Sequence, residues 1–353
     1  MGTFKSFLRR KDIEISFKRY GLDAMSAMAQ GLFCTLLIGT ILNTIGTQFH
    51  IGVLTRPVFT LGGTGYTIGS IAQAMVGPAM AVAIGYALKA PGMVLFALAP
   101  VGYATNALAG AGGPFAVYAV AIIAAEFGKM VSKETKVDIL VTPSVTLLCG
   151  VGIAYLIAAP IGSAATWIGN VIMWATELHP FYMGMLVAAV VGIALTLPIS
   201  SAAICAGLGL TGLAGGAAVA GCCAQMIGFA VMSFKENRWG GLVSQGIGTS
   251  MLQMGNILKN PKIWIAPILA SMITGPIATC VFHMEMNGAA VNSGMGTCGL
   301  CGPIGVWTGW TDPTAFDWIG MALICFILPA VICLLLGALF RKIGWIREDD
   351  LKL

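Results

Sequence analysis

IGMALICFILPAVICLLLGALF, residues 319–340, contains no charged side chain and is long enough to cross a lipid bilayer as one helix. Comparable apolar stretches recur from about Leu22 onward, and charge is confined to short joints between them. Hydrophobic residues make up 58% of the 353-residue chain and charged residues only 9%, too few to cover a soluble domain of this size. The sequence therefore predicts an all-α fold, a polytopic bundle of transmembrane helices.

The placement of charge predicts a single integral membrane domain over residues 1–353. Residues 1–20 are basic and are expected to form a cytoplasmic or interfacial segment, helical over residues 6–20, that contacts anionic lipid rather than nucleic acid. Residues 21–340 are expected to form the membrane bundle, and residues 341–353 a cytoplasmic tail. Because positive charge beside spans stays in the cytoplasm, both termini are predicted to be cytoplasmic and the number of spans even.

Glycine and proline interrupt several apolar stretches, which predicts broken or re-entrant helices. Residues 92–126 and 202–234 are each expected to form a broken hairpin. Residues 239–260 are expected to lie along the inner surface or to be re-entrant, and residues 283–310 to dip into the protein. After a span over residues 139–159, a separate amphipathic outer segment is predicted for residues 163–176 and their two tryptophans.

A weak internal repeat is suggested when Pro100 is matched with Pro198. Each proline is taken to follow a span and to precede a hairpin rich in alanine and glycine, which suggests two pseudo-repeats. Two broken segments in corresponding halves are typical of a transport site. The alternative is that small residues only permit close helix packing. The run Gly62-Gly63 has no strand pattern around it and is expected to form a turn.

Polar side chains within or beside the apolar stretches are the candidates for solute binding, because ionisable groups at membrane depth usually face a cavity. One pair follows an outer segment, the densest polar group follows the span that ends at Phe282, and two amides lie in the broken hairpins. The candidates are Glu177 and His179, then His283, Glu285 and Asn287, then Asn106 and Gln225. The alternatives are an interfacial turn, an ordinary outer loop and inter-helix packing, respectively. Three further amides, expected to line a cytoplasmic mouth, are Gln245, Gln253 and Asn256.

Other site classes find little support in the sequence. Cys298 and Cys301 form a CxxC pair, but no second pair accompanies it, so no metal site and no cofactor are predicted. The role of the pair stays open between packing and a minor redox function. No phosphate-binding loop of the GxxxxGK[ST] type occurs, so the chain is not predicted to hydrolyse ATP.

Three stretches resemble a known family. They are PVGYATNALAGAGGP at 100–114, ELHP at 177–180 with LPISSAAI at 197–204, and NGAA at 287–290 with GMGTCGLCGP at 294–303. In these the chain resembles bacterial enzyme IIC domains of the sugar phosphotransferase system, a family that includes regulators of perfringolysin expression. The glucose-type sequence Gly-Ile-Thr-Glu of such domains does not occur in this chain.

The resemblance implies a permease for a small polar solute, a sugar-like one, in the bacterial cell (inner) membrane. It also implies separate IIB and IIA proteins as partners, which would carry out any phosphotransfer, and a homodimer. Two alternatives remain from the residues: a ligand-sensing membrane regulator without transport, and an ion- or proton-coupled carrier of an organic anion.

Overall fold

The structure, a computed structural model, describes residues 2–310 and 312–353, apart from the side chains of residues 2–5, 48 and 207. The chain is 79% helical, and its described part contains six helices long and apolar enough to cross a membrane, or seven with one bent pair counted as a span. The predicted all-α bundle is therefore confirmed. The chain divides into two compact units, so the single domain over residues 1–353 stays a prediction.

The helices are numbered here in chain order. They are α1 (Gly2–Arg10), α2 (Lys18–Thr47), α3 (Gly52–Thr55), α4 (Ile68–Ala74), α5 (Val76–Ala87), α6 (Gly92–Ala109), α7 (Gly113–Val131), α8 (Asp138–Thr176), α9 (Pro180–Thr196), α10 (Ser201–Gly207), α11 (Gly212–Met232), α12 (Phe234–Val243), α13 (Met254–Lys259), α14 (Pro261–Val281), α15 (Cys301–Thr308) and α16 (Ala315–Lys342). The two strands are β1 (Phe59–Leu61) and β2 (Thr64–Tyr66). The first unit contains the chain up to Gly39 and Arg56–Ala164, and the second contains Thr40–Thr55 and Ala165–Leu353.

Three local predictions need correction. The amino-terminal helix is α1, which ends at Arg10, rather than a helix over residues 6–20. The turn at Gly62-Gly63 is present, but strands flank it: both glycines have positive φ, 57° and 82°, as a two-residue antiparallel hairpin requires. Residues 163–176 are not a separate segment, because α8 continues through Pro160 to Thr176. A proline need not end a helix in lipid, where any other backbone conformation would leave more polar groups unpaired.

Helix α8 is long and poorly covered. Its 39 residues span about 58 Å at 1.5 Å per residue, against a hydrocarbon core of roughly 30 Å. Only 22% of its most apolar stretch is buried within the protein. Its exposed apolar side chains, including Leu148 and Leu156, therefore face lipid or another molecule.

The first unit is held together by close helix crossings. Helices α6 and α7 form the predicted broken hairpin, with the break at Gly110, whose φ is +53°. Helices α5 and α6 cross at Gly77 and Gly102, where a Cβ on either residue would overlap the carbonyl oxygen of the other. Pro100 lies inside α6 rather than after a span, so its match with Pro198 is wrong, and the pseudo-repeats stay a prediction.

The second unit is built around α11, which is buried along most of its length. Helix α9 runs parallel to α11: Ala188 on α9 abuts Gly221 on α11, and Thr196 at the end of α9 reaches Gln225, one turn further on. Helix α14 runs antiparallel to both, since Ser271 bonds to Gly221 and Gln225 on α11 before Gly275 meets Gly184 on α9. The parallel pair α9 and α11 requires a return connection, which residues 197–211 provide.

Two irregular connections, residues 197–211 and residues 288–309, fold into the second unit. Residues 197–211, including the short helix α10, return from the level of Gln225 to the start of α11. Helix α10 packs on residues 290–294 rather than along α11, so the two arms of the hairpin predicted over residues 202–234 do not pack on each other. Residues 288–297 run beside α11 from its start until Thr297 reaches Met226. Helix α15 then runs back in the opposite direction, so that Gly309 lies beside Asn287. The prediction that residues 283–310 dip into the protein is confirmed.

The opposite end of the second unit holds the end of the chain. Gln253 Nε2 donates to the backbone carbonyl oxygen of Leu351 (2.9 Å) and to the side-chain oxygen Oε1 of Gln245 (2.8 Å). Asn256 donates to the carbonyl oxygen of Lys352 (2.8 Å), and Leu351 is fully buried. These amides are buried and paired, so the prediction that they line an open mouth is wrong.

The glycine crossing of α5 and α6 generates a stability prediction. Gly77→Ala should destabilise the protein by about 1–3 kcal/mol, because the added methyl group overlaps the backbone of α6. The matched control is Gly152→Ala in α8, where no atom lies within 4 Å of the added carbon, so the helix should gain stability. Thermal unfolding in detergent measures both, and equal shifts for the two variants would contradict the crossing.

Candidate functional site

Five side chains form a polar cluster in the second unit, here called the polar junction: Thr196, Gln225, Ser250, Trp264 and Ser271. The amide oxygen of Gln225 accepts from Trp264 Nε1 (2.8 Å) and from Thr196 Oγ1 (3.3 Å), and its Nε2 donates to Ser271 Oγ (3.4 Å). Thr196 Oγ1 also lies 2.8 Å from Ser250 Oγ. Four of the five are fully buried and Trp264 is half-buried.

The polar junction lies where three irregular backbone segments meet α11. The α9 helix ends at Thr196, and residues 197–200 are non-helical. From the other end, residues 244–253 turn inward so that Ser250 reaches Thr196, which makes the region 239–260 re-entrant. The turn at residues 297–300 reaches Met226, one residue after Gln225. Broken backbone that meets at one depth is the arrangement found at transporter binding sites.

Three of the predicted site residues share one face of an extended segment. His283, Glu285 and Asn287 are exposed, and they alternate with Met284 and Met286, which are buried against α11. The side chain of Asn287 donates to Glu285 Oε2 (2.9 Å). We call these three the polar edge. Paired backbone hydrogen bonds between Met286 and Gly212 fix this segment to the start of α11.

Glu177 and His179 lie at the same end of the second unit as the polar edge. Thr279 Oγ1, on the last turn of α14, donates to the Pro180 carbonyl oxygen (2.9 Å), so the start of α9 packs against the residues that precede His283. Both Glu177 and His179 are exposed. The imidazole Nδ1 of His179 accepts from the Phe181 amide (3.4 Å), and so it caps α9.

The two remaining predicted residues lie apart. Gln225 belongs to the polar junction, at the depth of the backbone breaks. Asn106 is half-buried in the first unit, where its side chain lies against Gly77 and Gly113. The seven predicted residues are therefore distributed over three places: the end of the second unit with the polar edge, the polar junction, and the α6–α7 hairpin.

Sequence reasoning missed four members of the polar junction: Thr196, Ser250, Trp264 and Ser271. Hydroxyl residues are common in membrane helices, where they bond back to their own backbone. Ser271 does so, since it donates to the Pro267 carbonyl oxygen (2.9 Å). A usable signal was the position of Thr196 and Ser250 directly beside breaks marked by proline and glycine, Pro198 and Gly248.

The comparisons with known proteins place the chain in a family. A family model described as phosphotransferase system, EIIC, matches residues 22–353. The chain belongs to this family. The resemblance in the sequence is thereby confirmed, and the chain is a multi-pass membrane protein and a permease-type EIIC component with a sugar as its solute. No curated protein and no solved structure matches it.

The hydrogen bond between Gln225 and Trp264 generates a stability prediction for this EIIC chain. Gln225→Met and Trp264→Phe should each destabilise the protein, because each leaves the other partner without its bond. The double variant should lose less than the sum, by about 0.5–2 kcal/mol, the range for hydrogen bonds between membrane helices. Unfolding of the four proteins in detergent gives the coupling energy, and additive losses would mean that the bond contributes nothing.

Proposed function

We propose that the sugar is first contacted at the polar edge and then held at the polar junction. The observation that carries the proposal is the meeting of three backbone breaks with a buried cluster of amide, hydroxyl and indole groups around Gln225. Groups of this type bond the hydroxyls of a sugar, both as donors and as acceptors. The indole ring of Trp264 adds an apolar face of the kind that ligand pockets combine with a few polar groups.

The polar edge suits the first contact. Glu285 supplies a carboxylate acceptor, Asn287 supplies both a donor and an acceptor, and His283 supplies an imidazole. All three are exposed and lie on one face of the segment. Glu177 and His179, at the same end, extend this polar surface, whereas Asn106 is kept as a candidate contact of the first unit.

The glycines beside the breaks support movement of the re-entrant segments. Gly209, Gly212 and Gly296 all have positive φ, of 61°, 62° and 53°, respectively. Such backbone positions are accessible to glycine at little cost, so a change of conformation concentrates there. We propose that the second unit opens the polar junction by shifting residues 197–211 and 288–309 while α11 stays fixed.

We also propose the finer points that the family relationship suggests. Phosphorylation of the sugar would depend on separate IIB and IIA proteins, and the membrane would be the bacterial inner membrane. Both ends of the chain are proposed to be cytoplasmic, because basic residues collect at the α1 segment and in the last turn of α16. The uncovered apolar face of α8 supports a homodimer, which cross-linking in native membranes tests.

Transport should depend on the polar junction. Gln225→Met should lower sugar counterflow in proteoliposomes at least tenfold, because the sugar loses one donor and one acceptor. The matched control is Gln253→Met, which also replaces a fully buried glutamine but at the opposite amide network, and it should leave counterflow per folded protein unchanged. Equal losses in the two variants would mean that Gln225 has only a structural role.

Sugar affinity should depend on the polar edge. Glu285→Gln should weaken binding about tenfold, because a bond to a charged acceptor is worth about 1.5–3 kcal/mol. The matched control is Glu348→Gln, another exposed glutamate of the second unit, at the tail and paired with Lys235 (2.9 Å). Affinity is measured by ligand-dependent thermal unfolding over a panel of sugars. Unchanged affinity in folded Glu285→Gln would remove this residue from the site.

A further inference from the structure

The first unit contains a basic cavity that has no part in the proposed sugar path. Its volume is about 440 Å³, within the range of small-molecule pockets. The charged side chains that line it are five basic and two acidic ones, so the lining carries a net charge of +3. The basic residues are Arg10, Lys11, Lys89, Lys129 and Lys133.

Three helices, α1, α5 and α7, end at this cavity, and part of its positive charge satisfies their last carbonyl groups. Lys129, which is only 2% exposed, donates to the carbonyl oxygens of Asp12 (2.6 Å) and Leu88 (3.0 Å). Arg19 also donates to Leu88 (2.7 Å), and Lys11 donates to the carbonyl oxygen of Ser132. These cations neutralise the negative ends of the helix dipoles and are therefore committed to the protein itself.

Both acidic groups of the lining are committed as well. Asp12 pairs with Arg19 (2.8 Å), and Glu134 pairs with Arg10 (2.7 Å) and Lys11. The hydrogen bond from Arg19 holds the pKa of Asp12 below its usual value, and that from Lys11 does the same for the pKa of Glu134. Both carboxylates are thus ionised at neutral pH and already bonded to cations.

Two lysines of the lining are left over. Lys89 and Lys133 are exposed, and neither ammonium group forms an ion pair with any residue that the structure describes. Each lysine still attracts one carboxylate: Asp12 for Lys89 and, for Lys133, Asp138, which accepts from the Lys133 backbone amide (2.7 Å). Both lysines have left-handed backbone conformations, with φ of +55° and +61°, at the second residue after the end of a helix, which is the position that follows the C-cap. Glycine or asparagine is the usual residue at such a position. The chain instead places an ammonium group at both, beside one cavity.

We propose that this cavity binds a phosphate-bearing anion, held by Lys89 and Lys133. A phosphate group matches the two uncommitted positive charges, and the ammonium groups are suitable donors to its oxygens. The amino-terminal segment that contributes Arg10 and Lys11 to the cavity also exposes two large apolar side chains, Ile15 (82% exposed) and Phe17 (60% exposed). Such exposure is expected of a segment that lies at the membrane surface. The anion is therefore either a soluble phosphate monoester or the head group of an anionic phospholipid. This inference does not depend on the proposed sugar site.

The test uses a double variant, Lys89→Asn with Lys133→Asn, in the full-length protein. Asparagine accepts the left-handed conformation, so the variant loses the two charges while its helix caps are kept or improved. The control is Lys136→Asn, an exposed lysine of the same joint that does not line the cavity. A second control, Lys89→Arg with Lys133→Arg, keeps both charges.

The probes are glucose 6-phosphate and phosphatidylglycerol, added separately to protein purified in a neutral detergent. Binding is followed by the shift in thermal unfolding and, for the lipid, by native mass spectrometry. The proposal expects at least one probe to bind saturably to the wild type, the Lys136→Asn control and the arginine variant, and at least tenfold more weakly to the double asparagine variant. Binding of only the sugar phosphate identifies a soluble ligand, and binding of only the lipid identifies a head-group site. Equal binding to all four proteins, or no binding of either probe, would overturn the proposal.

Discussion

Backbone N–H and C=O groups have no water to bond at membrane depth, so each break in a helix of this protein has to be satisfied by other parts of the chain. Two serines do this for the re-entrant segments. Ser201 Oγ donates to the Gly294 carbonyl oxygen (2.8 Å), and Ser293 Oγ donates to that of Leu210 (2.5 Å). The two irregular connections thus complete one another, and neither would be stable in lipid alone.

Close packing follows from the same requirement. A carbonyl group near an irregular segment is protected only if the neighbouring helix approaches it closely, and glycine permits this approach. At Gly216 and Gly221 on α11, a Cβ would overlap the carbonyl oxygens of Met284 and Ala188. The glycines of α11 therefore serve the tight contacts, whereas the glycines at the ends of the re-entrant segments serve the turns. One composition signal in the sequence has two structural causes.

The sequence predicts what depends on length and local composition. Apolar stretches of span length and the Gly-Pro interruptions identify the helices, the α6–α7 hairpin and the segment that dips inward at residues 283–310. The long helix α8 was mistaken for a shorter span because Pro160 is a strong breaker in water and a weaker one in lipid. The match between Pro100 and Pro198 failed because a proline inside a helix and a proline at its end have the same local sequence signal.

The candidate site is harder to predict, because its members are assembled over long sequence distances. Gln225 could be identified, since an amide in an apolar segment needs a partner. Which residues provide that partner depends on the level at which α9, α14 and residues 244–253 meet α11, and no local pattern encodes this level. Likewise, the lysines at helix ends all look alike in the sequence, and only their packing separates Lys129, which is committed to carbonyl groups, from Lys89.

The polar junction in this structure is closed, and its energetics explain why a closed cluster is compatible with a carrier. Each of its bonds is worth only about 0.5–1.5 kcal/mol net, because folding exchanges one hydrogen-bond partner for another. If the polar junction holds the sugar as proposed, a sugar that replaces these partners one for one changes the balance little and can be released. The larger cost belongs to any backbone group uncovered during the exchange. In the proposed function, transport therefore depends both on these contacts and on how the re-entrant segments move with their carbonyl groups kept paired.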